Sequence, residues 1–276
     1  MEYLIHKIFK FLNNNEIKYI ENLIKKAKDL QNTKVIMNKI YLMILNKNIV
    51  IDYNKNRQNF ISEKIYNYIF NDKLSFSKNT IKIVDIGGGN GNVLSNLNNI
   101  LQINKENFLC IETQSDWIET YDFNNKNIKY LFWDNNTISI PDNSIDIVLC
   151  MVSLHHMSND LINKVLLNIK RIMKKDGLLL IKEHDYNNNS VKKYIEWEHY
   201  LYHIQDILIE KKQLNIDEYF KNITHNFKNK YEWEQIIIKH NLKFYEKTNR
   251  FINGKYKKDI KNLSNLYWDI YKNIEL

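Results

Sequence analysis

The sequence predicts an α/β fold: a central, mostly parallel sheet flanked by helices, with a helical extension ahead of it. Three observations predict it. From Ile81 onwards, short apolar runs alternate with helical stripes, the pattern of a parallel sheet covered on both faces. Four of the chain's six glycines (Gly87, Gly88, Gly89 and Gly91) stand in one five-residue window directly after the first of those runs. Ahead of Ile81, apolar residues instead recur at helical spacing.

The elements follow in order. Residues 1–75 read as helices: Leu23, Ile24, Ala27 and Leu30 repeat at three and four, as do Ile36, Ile40, Met43 and Ile44, and then Phe60, Ile61, Ile65, Tyr66, Ile69 and Phe70. They carry no catalytic signature and are expected to form an N-terminal lid or packing region. The polar stretch Asn71–Thr80 separates them from residues 76–276. There Ile81–Ile86 is a strand, and Val93, Leu94, Leu97, Ile100 and Leu101 stripe a helix. Phe108–Glu112, Tyr130–Asp134 and Ile145–Val152 are three further strands. Ser158 is placed to cap a helix whose Ile162, Val165, Leu166, Ile169 and Met173 share one face. Gly177 is placed to end that helix before a fifth strand, Leu178–Glu183. Residues 190–240 read as a mainly helical region, and residues 242–276 as a terminal hairpin turning at Asn253–Gly254.

Composition narrows the function classes. The chain has 276 residues, of which 44% are hydrophobic, enough for a buried core. Its apolar runs, such as Ile40–Leu45, are far shorter than a membrane span, and no signal peptide opens it. Cys110 and Cys150 both lie in apolar runs and read as buried thiols, so a cytoplasmic protein with no membrane partner is expected. The net charge of +8 invites a nucleic-acid partner. However, 37 lysines accompany only Arg57, Arg171 and Arg250, with one alanine and one proline. That is the bias of AT-rich codons, and it leaves few of the bidentate groups that read phosphate and guanine best. In such a sequence, the glycines that remain are those the backbone demands.

A strand, then Asp85-x-Gly87-x-Gly89-x-Gly91, then a helix is a nucleotide-binding turn, in which a ligand lies against bare backbone near the start of a helix. Glu112 ends the second strand, 21 residues after Gly91, where a carboxylate can accept both hydroxyls of a ribose. Asp134 ends the third, where an acid can take an exocyclic adenine amine. The only proline, Pro141, stands in the loop leading to the fourth strand. A nicotinamide dinucleotide site shares these mechanics, but its glycines are spaced G-x-G-x-x-G.

On these residues the chain resembles the class I S-adenosylmethionine-dependent methyltransferases, strongly over 82–183. The resemblance implies a Rossmann-like domain with a seven-stranded sheet, and S-adenosyl-L-methionine as methyl donor. It assigns the donor to Asp85, Gly87, Gly88, Gly89, Asn90 and Gly91, with Glu112 and Thr113 at the ribose, Trp133 and Asp134 at the adenine, and Met151 and Val152 beside the methyl group. Lys175-Asp176-Gly177 departs from the family by lacking a proline and a second glycine. A Glu-His-Asp turn followed by Glu-His on a helix also resembles methyltransferase-like proteins of large DNA viruses.

Transfer from a sulfonium is an in-line displacement and requires no metal; the enzyme aligns the reactants and, for some acceptors, removes a proton. The acceptor-side candidates are His155 and His156 after the fourth strand and Glu183 and Asp185 after the fifth. Either histidine suits a base near neutral pH or a support for the donor loop. Strand alternation points Glu183 and Asp185 to one side and His184 to the other. A stripe on the next helix, Glu196, Tyr200 and His203 beside Glu198, Tyr202 and Gln205, with His199 between them, reads either as pocket cover or as packing. The expected acceptor is a small molecule, with RNA as the alternative and a non-catalytic partner subunit as a third reading.

Overall fold

The computed structural model describes residues 1–47, 55–71, 76–112, 127–223, 225–247 and 266–274. The chain forms two compact units.

The first unit is helical. It holds α1 (Glu2–Ile8), α2 (Asn14–Lys25) and α3 (Leu30–Leu45), joined from later in the chain by α7 (Asn189–Ile209) and α8 (Ile216–Asn222). Asn13 begins α2 with a reciprocal cap: its side chain accepts from the amides of Asn15 and Glu16, and Glu16 returns a bond to the Asn13 amide. The apolar stripes meet in one core, where Ile5, Phe9, Ile20, Met37 and Ile40 pack with Trp197, Leu201 and Ile204.

The second unit is built on a seven-stranded sheet in the order β3-β2-β1-β4-β5-β7-β6. The strands are β1 (Ile83–Ile86), β2 (Phe108–Glu112), β3 (Lys129–Phe132), β4 (Ile145–Met151), β5 (Met173–His184), β6 (Leu242–Lys247) and β7 (Leu266–Asn273). Strands β1 to β5 pair in parallel, and β7 runs antiparallel between β5 and β6. The helices of this unit are α4 (Lys55–Asn71), α5 (Asn92–Leu101), α6 (Asn159–Ile172) and α9 (Lys230–Ile238).

Strand alternation sorts the core into two layers. Val84, Ile86, Val148, Cys150, Leu179 and Ile181 face Ile162, Val165 and Ile169 of α6 and Trp233 and Ile237 of α9. Ile83, Phe108, Cys110, Ile147, Leu149 and Leu180 face Ile61, Ile65 and Ile69 of α4 and Leu94 and Leu97 of α5. The central strands are therefore apolar throughout because both faces are covered. The two thiols are buried in opposite layers and are both free. No helix among the described residues is long and apolar enough to cross a membrane.

Three sequence expectations change. Residues 55–71, grouped with the N-terminal helices, form α4 and pack on α5 in the sheet unit. The third strand stops at Phe132, leaving Trp133 and Asp134 beyond its end. Gly177 does not terminate α6: the helix ends at Ile172 and the chain passes directly into β5. Between Met173 and Leu178 the pairing with β4 is irregular, and Asp176, at φ 64°, takes the left-handed turn. Gly177 is needed there for close approach, since a Cβ would lie 2.9 Å from the Lys174 carbonyl oxygen. The hairpin signal at Asn253–Gly254 lies outside the described residues.

Candidate functional site

The order of the sheet reverses between β1 and β4, and in such sheets the crevice at the carboxyl ends of the reversing strands receives ligands. The glycine turn lies there. Gly87, at φ 68°, donates to the Ile111 carbonyl (2.8 Å) and packs against Ser153 so closely that a Cβ would stand 2.6 Å from the serine Cβ. Ser153 in turn donates its hydroxyl to the Ile86 carbonyl (2.9 Å), tying the exit of β4 to the exit of β1. Gly89 is the contrasting case: at φ 54°, a Cβ on it would meet nothing within 4 Å. Its amide donates to Glu112 Oε2 (2.9 Å), so the predicted ribose carboxylate is fixed against the loop. Gly88 donates no side chain to the site and accepts the Gly91 amide (2.9 Å), while Gly91 begins α5. The Asn90 carbonyl accepts the Tyr130 hydroxyl (2.9 Å).

Asp85 lies beneath this turn, 1% exposed, and neither carboxylate oxygen has a hydrogen-bond partner among the described residues. Burial, with the nearby Glu112 charge adding to it, pushes its pKa up to about 8. A buried carboxyl left in this state is stabilised by a cation or a donor that reaches it.

The other predicted donor residues are distributed along the same edge. Trp133 is buried in the α6-side layer, and its backbone amide donates to the Glu112 carbonyl (3.0 Å). Asp134 is exposed and held in a local turn by Asn136, whose side-chain and backbone donors lower its pKa. Met151 ends β4, and Val152 follows at φ 61°, a strained conformation for a β-branched residue. The Val152 amide donates to the Lys182 carbonyl (2.7 Å), which holds the strained turn against β5. Thr113 lies outside the described residues.

On the acceptor side, the structure brings three of the four candidates together. His155, in a short helical turn after β4, is buried and has its Nδ1 2.6 Å from Glu183 Oε2. Glu183 is fully buried and also accepts from the amides of Leu154 (2.9 Å) and His184 (3.3 Å). Burial raises the pKa of Glu183 to about 8 against the opposing pull of those donors. The His156 ring centre lies 4.1 Å from that of His155, and the His184 ring centre 5.3 Å. Glu183 and His184 are consecutive in β5, and both lie close to His155. Asp185 is directed elsewhere: its Oδ1 accepts the Lys230 amide (2.9 Å). Three residues of the stripe on α7 make contacts within the helical unit. Glu198 pairs with Lys7 (3.2 Å), Gln205 donates to the Ile8 carbonyl (2.8 Å), and His203 stacks on Tyr219 (4.1 Å).

Sequence reasoning missed Ser153, Tyr130 and the segment Asn226–Lys230. Ser153 and Tyr130 were visible only as neighbours of named motifs. The segment has no periodicity, and its role rests on contacts about 70 residues away in the chain.

Residues 84–181, from β1 into β5, match the family of methyltransferase domains. The sheet unit thus carries a methyltransferase domain over these residues, on a class I methyltransferase fold. Its methyl donor is S-adenosylmethionine. A methyltransferase of Aquifex aeolicus described as S-adenosylmethionine-dependent superposes with a TM-score of 0.51 over 81% of this chain and 95% of its own, at 15% identity, a likeness of fold. A methyltransferase of Haloferax volcanii, in complex with the Trm112 methyltransferase activator, gives 0.49 over 80% and 95%, at 12% identity. No curated protein matches the chain. The methyltransferase's own residues fit the donor, which carries an ammonium and a sulfonium. The orphaned Asp85 carboxyl answers a cation, and the open space over Gly89 is what a Cβ would begin to fill.

Proposed function

We propose that this methyltransferase transfers the methyl group of S-adenosylmethionine to an oxygen or nitrogen atom of a small-molecule acceptor. The observation that carries the reading is the buried Glu183–His155 pair at the exits of β4 and β5. The pair shares a proton; with that proton on Nδ1, Nε2 is the basic nitrogen through which His155 orients the acceptor and takes its proton. His156 flanks that ring, and Asp185 supports it indirectly by anchoring Lys230.

On the donor side, Asp85 and the Gly87–Gly91 backbone take the methionine part, Glu112 the ribose hydroxyls and Asp134 the adenine amine. Met151 and Val152 bring the methyl group to the exit of β4. Within the sheet unit, the rings of His155, His156, His184 and Phe227 cluster at this exit. An aromatic-lined end favours a small acceptor. The RNA reading draws support from the net charge of +8. The presence of Asp85, Glu112 and the whole glycine turn argues against a non-catalytic subunit.

Formation of S-adenosylhomocysteine is to be measured over a panel of small alcohols, phenols and amines and over short RNAs, with donor binding followed by calorimetry. The proposal expects turnover with members of the small-molecule panel. Glu112→Ala weakens donor binding, while His155→Asn leaves binding within about twofold and lowers turnover at least ~100-fold, the usual contribution of a positioned base. No donor binding by the wild type, or turnover with RNA alone, overturns it.

A further inference from the structure

Asp134 stands exposed just past the end of β3, where the last torsion of a carboxylate side chain is soft. One neighbour grips both of its oxygens. The Asn136 amide donates to Asp134 Oδ1 (3.0 Å), and Asn136 Nδ2 donates to Oδ2 (3.0 Å). A bond to each oxygen fixes the plane of the carboxylate. The group has about four acceptor positions, so the grip leaves others to meet a ligand. The same donors hold the Asp134 pKa below its ordinary value, which keeps the group an ionised acceptor.

Asn136 is itself held from α6. There Asn168 interrupts the apolar face of Val165, Leu166, Ile169 and Ile172 and is buried with them. A buried amide is costly unless its polar atoms are met. Asn168 Nδ2 donates to the carbonyls of Asn136 (3.1 Å) and Lys164 (3.0 Å), and its Oδ1 accepts from the Ile138 amide (3.0 Å) and Arg171 Nη2 (3.2 Å). Arg171 extends the clamp by donating to the carbonyls of Ile138 (2.6 Å) and Ile140 (2.8 Å). The loop that follows β3 is thus braced on α6, and the brace ends at the Asp134 carboxylate.

Resting on the reading of Asp134 as the partner of the adenine amine, we propose that Asn136 is a positioning residue that sets selectivity for adenine. Braced by Asn168, it presents the carboxylate in one orientation to the exocyclic amine. A base with a carbonyl oxygen at that place meets the carboxylate lone pair to lone pair and is rejected.

The test is calorimetry on the full chain with two probes: S-adenosylhomocysteine, and S-inosylhomocysteine, in which a carbonyl oxygen replaces the amine. The readout is the ratio of their Kd values. Loosened packing weakens both probes alike and leaves the ratio in place, whereas a misdirected carboxylate changes it. The wild type is expected to prefer adenine by at least ~10-fold. Asn136→Ala, at an exposed position, is expected to shrink that preference by about three- to tenfold, chiefly through a weaker adenine probe. Asn168→Asp keeps the shape and the acceptor but loses the bond to the Asn136 carbonyl, and is expected to shrink it by about two- to fivefold. On an Asp134→Ala background, which has lost the preference itself, Asn136→Ala is expected to have no further effect on the ratio. A wild type without preference, a wild-type ratio in either asparagine variant, or an equal effect of Asn136→Ala with Asp134 absent overturns the proposal. Should Asn168→Asp fail to fold, the ratio in Asn136→Ala decides alone. An Asp134→Ala variant that keeps the preference sinks the adenine reading of Asp134 and the proposal together. Loss of preference in Asp134→Ala beside its retention in Asn136→Ala sinks the proposal alone.

Discussion

At the scale of single residues, the two best-placed glycines fail differently on substitution. Gly87→Ala drives a Cβ into Ser153, which is itself tied to β1. It should destabilise the fold by about 2 kcal/mol or more through strain and overpacking. Gly89→Ala meets no neighbour within 4 Å; it should cost about 1 kcal/mol for the left-handed backbone while donor binding falls severely. Thermal melting and calorimetry on both variants separate the two effects. Asp85 makes a prediction about pH. Its folded pKa, about 8, lies above the ordinary 3.8, so between those values the folded state holds a proton that the unfolded chain has released. Stability in the absence of donor is therefore fully present at acid pH and is lost as pH rises through that window, by up to about 1.4 kcal/mol per pH unit. Asp85→Asn removes the loss. Its stability advantage over wild type should grow from pH 5 to pH 8 in denaturant titrations, while its donor binding weakens.

At the scale of elements, caps and strand ends decide how much the sequence reveals. Ser158 accepts the Leu161 amide (3.2 Å) as the cap of α6, as read from sequence. Ser158→Ala should cost about 1 kcal/mol by denaturant unfolding, with donor binding retained. Phe108–Glu112 was legible to the residue because an apolar run ends in a carboxylate. Gly177 misled because Asp176 adopted the conformation expected of glycine, a substitution open to aspartate more than to most residues. The His155–Glu183 pair was legible only as separate candidates: no local pattern records that these residues, 28 positions apart, share a hydrogen bond. The stripe on α7 had two readings because helical spacing looks the same whether a face lines a ligand or a core.

At the scale of the molecule, charge and topology matter most. A net charge of +8 repels itself in the compact state. Melting temperature should therefore rise by a few degrees as sodium chloride goes from ~20 to ~200 mM, over which the screening length falls below about 10 Å; an unchanged or falling value would show that local ion pairs dominate. The position of β7 has a further consequence for synthesis. The strand that completes β5 begins only at Leu266, after every other strand of the sheet has left the ribosome. Until then the hydrophobic strand β5, with Leu178 to Ile181 at its centre, presents an open row of amides and carbonyls. A nascent chain halted between residues 185 and 265 is thus a template for pairing with another chain. Newly made protein should depend on chaperones during that interval more than the finished protein depends on them afterwards.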